Sequence, residues 1–258
     1  MLRSMYSGVS GMKGFQTKLD VIGNNIANVN TIGYKKSTIN FQDLLSQNLS
    51  GSGVNPMQVG LGSTTSSINT IHTPGSSMTT GVGTDLSIMG DGFFVVQDPD
   101  TPANKFLTRA GNFVLDNTGK LVNSQGYQVV GTNGPITINP ATYDSFTING
   151  QGEVYAKTAA GAETLIANIG ISNPPNPSGL NKVGGSLYEI TNASGGSTAV
   201  QTVAAANTKL GTGMLEMSNV DLTEEFTEMI IAQRGFQANS RTITTSDEIL
   251  QEVVNLKR

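Results

Sequence analysis

The feature that most constrains the fold is an apolar stripe in residues 218–258 of the 258-residue chain. Every seventh residue is apolar, and a helix returns such residues to nearly the same face. The stripe consists of Leu222, Met229, Phe236, Ile243 and Leu250, with Phe226 and Val254 beside it. Asp221 followed by Glu224 is typical of a helix N-terminus. A helix over these residues would be about 55 Å long, and so narrow a stripe predicts packing against other helices.

Residues 1–30 predict a second amphipathic helix. Its apolar positions recur in steps of three and four, and they are Leu2, Met5, Val9, Met12, Phe15, Leu19, Ile22, Ile26 and Val29. Four glycines interrupt this pattern at positions 8, 11, 14 and 23, and each costs about 1 kcal/mol of helix propensity relative to alanine. Either the segment is partly a loop, or the small residues allow another backbone to approach closely.

The charges of the two ends are complementary. Residues 1–36 carry a net charge of +4 and residues 218–258 a net charge of −3. This pattern predicts that the two ends pair as a coiled coil and form one helical domain from residues 1–30 and 218–258. One such pair would leave four apolar side chains partly bare, namely Ile230, Ile231, Ile249 and Val253. We therefore expect further copies of the chain to cover them.

The middle of the chain has the composition of turn-rich β structure. It contributes most of the 31 glycines, and only 13% of all residues are charged. We expect an all-β domain, sandwich-like or barrel-like, over residues 67–217. Its strands are expected at 93–97, 113–115, 120–122, 128–130, 136–138, 145–148, 154–156, 165–171 and 187–190. The predicted fold class is therefore α+β, with long terminal helices and an inserted β domain.

Two stretches are expected to lack regular strands. Residues 31–66 predict an irregular linker, in which residues 41–45 could continue a helical turn and residues 50–56 have a flexible composition. Residues 191–207 are rich in serine, glycine and alanine, which predicts a mobile surface loop whose deletion is tolerated better than deletion of any of the strands given above.

Little in the sequence supports catalysis. The chain has no cysteine, so no cysteine-based triad can form, and because His72 is its only histidine no metal or cofactor is expected. A carboxylate pair such as Asp91 and Asp116 leaves a secreted, glycan-active enzyme open as an alternative. The net charge of −4 indicates no nucleic-acid partner. No cleaved signal peptide and no membrane insertion are predicted, because charged residues interrupt the first apolar positions.

Two motifs at opposite ends of the chain resemble those of bacterial flagellar rod and hook proteins. Residues 19–28 (LDVIGNNIAN) followed by residues 31–35 (TIGYK) are similar to the N-terminal signature, and residues 216–222 (EMSNVDL) to the C-terminal one. Residues 90–94 (GDGFF) and 108–113 (TRAGNF) are similar to hallmarks of the family's β domain. The resemblance places the family motif on Asn24, Asn25, Ala27, Asn28, Thr31, Gly33, Tyr34, Ser218, Asn219 and Val220.

The resemblance implies a structural protein that assembles into a homopolymer. The chain would be exported by the flagellar type III apparatus and lie outside the cytoplasmic membrane, in the hook or basal body. Its neighbours would be rod, hook-cap and hook–filament junction proteins. The assembly interface is expected at Leu2, Met5, Val9, Met12, Leu19, Ile22, Ile26, Leu222, Phe226, Met229, Phe236, Ile243, Leu250 and Val254. The opening and closing residues are most similar to short hook proteins of Gram-positive flagella, so a hook subunit is expected, with a distal rod subunit as the alternative.

Overall fold

A computed structural model describes residues 2–50, 57–102, 104–140, 142–158, 162–196 and 199–256. The chain divides into two compact units. The helical unit contains residues 1–27, 36–71 and 220–258, and the β-rich unit contains residues 28–35 and 72–219. The expected mixture of terminal helices and a β-rich middle is confirmed.

The helical unit is built on two long helices, α1 (Leu2–Ala27) and α2 (Leu222–Asn255). Asp221 caps α2, because its carboxylate accepts hydrogen bonds from the backbone N–H groups of Thr223 and Glu224. Among the described residues, neither these helices nor any other is long and apolar enough to cross a membrane.

Glycines explain why α1 can lie so close to α2. A Cβ atom on Gly8 would lie 3.2 Å from Ile243, and one on Gly235 would lie 2.5 Å from the ring of Phe15. A Cβ atom on Gly11 would lie 3.0 Å from the Asn239 side chain. The glycines that weaken the helices locally therefore permit close packing between them, and α1 is helical throughout.

The remainder of the helical unit is a β ribbon where an irregular linker was expected. It consists of β1 (Ser37–Asp43), β2 (Gln47–Ser50), β3 (Met57–Val59) and β4 (Ser63–Thr70). β1 pairs antiparallel with β4, and β2 pairs antiparallel with β3. Residues 41–43 belong to β1, so the helical turn expected at residues 41–45 is wrong there. Residues 51–56 of the flexible stretch lie outside the described residues. The longer segment of the β-rich unit begins at His72 rather than at residue 67, because β4 pairs within the helical unit.

The β-rich unit contains sixteen described strands. They are β5 (Ser77–Thr79), β6 (Leu86–Met89), β7 (Phe93–Gln97), β8 (Lys105–Thr108), β9 (Val114–Leu115), β10 (Leu121–Val122), β11 (Gln128–Gly131), β12 (Gly134–Pro135), β13 (Tyr143–Ile148), β14 (Glu153–Thr158), β15 (Glu163–Asn168), β16 (Ile171–Ser172), β17 (Asn181–Gly184), β18 (Leu187–Glu189), β19 (Lys209–Thr212) and β20 (Met214–Glu216). The largest sheet has the order β17-β18-β8-β7-β11-β10-β9. In addition, β12 pairs with β11 and β16 pairs with β7. β13, β14 and β15 form a separate three-stranded sheet.

The core of this unit lies on both faces of β7. All five residues of β7 are buried, as a continuous apolar run predicts. One cluster includes Phe94, Val96 and Phe113, and the other includes Phe93, Val95 and Tyr188. Ile136 and Ile138 also fill the core, although the strand expected at residues 136–138 is not formed and only Thr137 makes a bridge, to Lys120.

The stretch expected to be a mobile loop is tied into this core. Val203 is buried in the larger cluster, and Gln201 forms a β-bridge with Ile171. The hydroxyl of Thr191 donates a 2.6 Å hydrogen bond to the carbonyl of Gly179. The expectation of a surface loop is therefore wrong at Val203 and Gln201, since the alanine- and serine-rich composition gives no indication of this core valine and this bridge. That deletion of residues 191–207 is tolerated better than deletion of a strand stays a prediction.

Replacing Val203 with alanine is expected to lower the free energy of unfolding by about 2 kcal/mol, because two buried methyl groups are lost. Chemical unfolding of the purified protein measures this. The matched control is Val183→Ala in the exposed strand β17, which should change the stability by less than about 0.5 kcal/mol. Equal effects of the two substitutions would contradict the placement of Val203 in the core.

Candidate functional site

The first candidate surface is the seam between α1 and α2. On α2 the seam combines the expected row Met229, Ile243 and Leu250 with a second row that the sequence pattern did not indicate. The second row consists of Glu225, Ala232, Asn239 and Ser246, of which Glu225, Ala232 and Ser246 are buried. These residues are small or polar, so an apolar heptad could not find them. The glycine-bearing helix α1 approaches α2 closely along this row, and larger side chains there would separate the two helices.

The other half of α2 carries an exposed apolar face. Ile230, Ile231, Ile249 and Val253 are 59%, 52%, 50% and 51% exposed, as expected for one pair of helices. Val254 and Phe226 are also at least half exposed. By contrast, every seventh residue from Thr227 is polar, namely Thr227, Arg234, Arg241, Glu248 and Asn255. α2 therefore presents apolar strips on either side of a polar row.

Asn25 joins the two helices to the ribbon. Its side chain donates to Glu225 Oε2 at 3.1 Å and to the backbone carbonyl of Ser37 at 2.9 Å, and its Oδ1 accepts from the Ser37 N–H. Asn25 and Glu225 are both buried. Lys18 pairs with Glu228 and Lys36 with Glu224 at the rim of the same cavity, which has a volume of about 240 Å³. The buried amide fixes the start of β1, whereas the glutamates of the rim pairs are exposed, so these pairs contribute little.

Gly33 shapes the loop that enters the β-rich unit. Its φ is +66°, and a Cβ atom there would lie 2.5 Å from the backbone nitrogen of Ala110. Its N–H donates a 2.8 Å hydrogen bond to the carbonyl of Glu216. Only glycine meets both requirements without strain. The loop thereby brings Lys35, two residues later, against the same glutamate.

Lys35, Arg109 and Glu216 form a buried charge cluster. Lys35 Nζ lies 2.5 Å from Glu216 Oε1, and Arg109 Nη1 lies 3.2 Å from Glu216 Oε2. Each of the three residues is at most 1% exposed. Burial lowers the pKa of Lys35, and the charge of Glu216 opposes this shift. The carboxylate is also fixed by the N–H of Gly75 at 3.0 Å, and Lys35 donates to the carbonyl of Thr73. Two cations thus share one carboxylate in a water-excluded site.

Three family models match this chain. They are "Flagella basal body rod protein" at residues 5–35, "Flagellar hook protein FlgE/F/G D1 domain" at residues 87–156 and "Flagellar basal body rod FlgEFG protein C-terminal" at residues 212–256. The "Flagellar basal-body rod protein FlgG" of Bacillus subtilis (strain 168) is 52% identical over 267 aligned positions, which cover 100% of both chains. The chain belongs to the flagellar rod and hook protein family.

Two relatives from one organism, Borreliella burgdorferi, indicate which kind of family member this chain resembles more. The rod protein FlgG is 37% identical over 270 aligned positions, and the hook protein FlgE is 29% identical over 444, each with full coverage of both chains. The longer alignment means that the hook protein carries long insertions that this chain lacks. The comparisons therefore favour the rod over the hook that the terminal residues suggested.

The rod and hook family is one of structural flagellar components that form polymeric axial structures in the basal body. This chain is accordingly a structural subunit of the flagellar rod or hook. The glycan-active alternative finds no support among these relatives.

The structure separates the residues of the expected family motif by role. Asn25 and Gly33 have the structural roles described above, and Thr31 donates to Asn28 Oδ1 at 3.0 Å within the loop. The ring of Tyr34 lies 4.9 Å from Lys182 Nζ. Asn219 donates to the hydroxyl and carbonyl oxygens of Thr73. Asn24 and Ala27 are exposed on α1, and Ser218 and Val220 are half-buried before α2.

The residues of the expected assembly interface divide into two groups. Buried or half-buried positions are Met5, Met12, Leu19, Ile22, Ile26, Met229, Ile243 and Leu250. Exposed positions are Val9, Leu222, Phe226, Phe236 and Val254. Leu2 lies in α1, and its side chain is outside the described part of the chain. The expected set therefore mixes side chains that hold this subunit together with side chains that face outward.

His72 lies in an aromatic environment. Its ring lies 5.5 Å from that of Phe93 and 5.6 Å from that of Tyr188. Burial, followed by the charges of Lys35, Arg109 and Lys182, lowers the pKa of His72 from 6.5 to about 4. The imidazole is therefore neutral at pH 7.

The stability of the protein is expected to fall as the pH falls from about 6.5 to about 4. In that window the unfolded chain binds a proton at His72 and the folded chain does not, so acid favours unfolding. Above pH 6.5 His72 is neutral in both the folded and the unfolded chain, so it no longer contributes to the pH dependence of the stability. Thermal melts across this window, compared with His72→Gln, measure the effect. The variant should show a flatter pH dependence, and an unchanged slope would contradict the assignment.

Proposed function

We propose that this chain is a subunit of the distal rod that polymerises into a helical tube. The observation that carries this proposal is the alignment with rod proteins over the full length of both chains, at nearly the same number of residues. The tube would transmit torque from the motor and enclose a channel for exported proteins. The chain would be exported through the flagellar type III apparatus, and its partners would be neighbouring rod and hook subunits.

Within this tube the helical unit would form the inner wall and the β-rich unit the outer layer. The arrangement of α2 supports this assignment. Its small and polar seam faces α1, while Ile230, Ile231 and Val253 remain exposed. Burying an isoleucine side chain gains about 1.5–3 kcal/mol, so each added subunit would gain stability by covering these side chains. We propose that α1 and α2 pair as a coiled coil and that helices of adjacent copies pack on the exposed strips.

A hook subunit is the second candidate, because one hook protein shares a closely similar segment. The "Flagellar hook protein FlgE" of Treponema pallidum (strain Nichols) is 53% identical over 140 residues, which cover 51% of this chain and 30% of that protein. That similarity covers half of this chain, whereas the rod similarity covers all of it.

Electron microscopy of basal bodies from a deletion strain tests the proposal. If the chain is a distal rod subunit, basal bodies should carry a truncated rod and no hook, and the wild-type gene should restore both. A full-length rod that lacks only the hook would overturn the rod assignment in favour of the hook. Intact flagella would overturn both candidates.

A further inference from the structure

A cavity of about 350 Å³ in the β-rich unit has no role in the proposed assembly. Its walls are formed by His72, Phe93, Arg109 and the prolines at positions 174, 175 and 177, with Asp91 at its exposed rim. The GDGFF and TRAGNF motifs both contribute to it. Prolines and a buried aromatic ring make part of this wall rigid, and polar side chains line the remainder.

Arg109 offers a hydrogen-bond donor at this cavity. Its guanidinium carbon lies 5.2 Å from the centroid of Phe93, and its Nη1 is held by Glu216. Within the described part of the chain its Nε has no acceptor, although the residue is only 1% exposed. Buried N–H groups of charged side chains are normally satisfied, so this orphaned donor points to an acceptor supplied from outside the chain.

His72 offers the opposite kind of group. The carbonyl of Pro177 accepts a hydrogen bond from the imidazole, while Nδ1 is buried and has no partner among the described residues. A neutral imidazole that donates through one nitrogen accepts through the other. Two residues that line the cavity therefore carry unsatisfied groups of opposite kind, the charged donor Arg109 Nε–H and the acceptor His72 Nδ1.

The charge around the cavity is positive. Lys35, Arg109 and Lys182 all act on His72, and Glu216 is the one buried carboxylate in the described part of the β-rich unit. Tyr188 adds no charge at neutral pH, because burial raises its pKa far above its ordinary value. These three cations outnumber the carboxylates of Glu216 and of Asp91 at the rim, so an anion that enters this cavity is attracted by a net positive charge.

We propose that this cavity binds a small oxyanion that carries its own proton donor, the chemical class to which hydrogen phosphate belongs. One phosphate oxygen accepts from Arg109 Nε–H, and the P–O–H group donates to His72 Nδ1. Sulfate has a similar size and charge but has no proton to donate at neutral pH, so it satisfies Arg109 and leaves His72 Nδ1 without a partner. The site therefore prefers phosphate to sulfate.

The imidazole signals of His72 provide a direct readout, because the chain contains no other histidine. The full-length protein is titrated at pH 7 with inorganic phosphate, and separately with sulfate, while sodium chloride keeps the ionic strength constant. We expect a saturable shift of the His72 carbon-bound proton signals with phosphate in the millimolar range and at least several-fold weaker binding of sulfate. No saturable shift with either anion would overturn the site. Equal affinities would overturn the donor pairing.

Three variants locate the site. Arg109→Gln should abolish the phosphate response. Asp91→Asn removes an exposed rim carboxylate and should tighten phosphate binding, and this variant keeps the test decisive if Arg109→Gln fails to fold. Asp100→Asn removes an equally exposed carboxylate that does not line the cavity, and it should leave the affinity unchanged. Equal effects of Asp91→Asn and Asp100→Asn would overturn the placement of the anion in this cavity.

Discussion

Replacing Glu216 with alanine is expected to lower the free energy of unfolding by about 3–5 kcal/mol, because two buried cations lose their shared partner. Lys35 and Arg109 both depend on this carboxylate, and neither is more than 1% exposed. The N–H of Gly75 would also lose its acceptor. Tyrosine fluorescence during urea unfolding measures the loss, since the chain has no tryptophan and five of its six tyrosines lie in the β-rich unit.

The matched control is Glu228→Ala, which breaks a pair with Lys18 on the exposed part of the helical unit. Pairs of this kind contribute about 0–1 kcal/mol. Glu216→Gln separates charge from hydrogen bonding, because the amide keeps one acceptor oxygen but not the negative charge. We expect it to be nearly as damaging as alanine. A loss at Glu216 no larger than at Glu228 would show that the cluster does not hold the β-rich unit together.

Replacing Ile230 with aspartate is expected to abolish polymerisation while leaving the free subunit folded. Ile230 is 59% exposed in the single chain, so the substitution should change its stability by less than about 0.5 kcal/mol. If neighbouring helices cover Ile230 in the tube, the new carboxylate is buried without a partner, which costs several kcal/mol at every subunit contact. Soft-agar motility and electron microscopy of basal bodies measure assembly, and circular dichroism of the purified subunit measures folding.

Thr227→Asp is the control for this experiment. It adds the same charge one turn earlier on α2, within the polar row that includes Arg234 and Arg241. Cells with Thr227→Asp should swim, and cells with Ile230→Asp should not. Normal motility with Ile230→Asp would refute the assignment of the exposed strips as contacts between subunits.

The sequence predicted the helices well because their signals are local. A seven-residue repeat and an aspartate cap are sufficient to place α2, and the structure begins that helix at Leu222, directly after Asp221. Continuous apolar runs likewise predicted β7 at its observed bounds. The ribbon of β1 and β4 was missed because both strands are polar and half-exposed, without the alternation that marks a strand. Their pairing depends on partners at least twenty residues apart in the chain.

The candidate site was less accessible to sequence reasoning than the fold. The motif residues Gly33 and Asn25 were found by resemblance, but their physical roles depend on contacts with Ala110, Glu216 and Glu225, which are distant in the chain. The seam residues Ala232 and Ser246 carry no apolar signal at all. The one indication in the sequence was the set of glycines in α1, since closely packed helices require small residues on both sides.

The sequence by itself determined that this chain has two amphipathic ends and a β-rich middle, and its motifs were sufficient to identify the family. It did so because helix periodicity, capping and strand-forming apolar runs are set by residues close together in the chain. Only the tertiary structure decided that Lys35, Arg109 and Glu216 share a buried site, and that His72 and Arg109 line one cavity. Burial and electrostatic interaction depend on distance in space, and a glycine turn at Gly33 and strand pairings across more than one hundred residues set those distances.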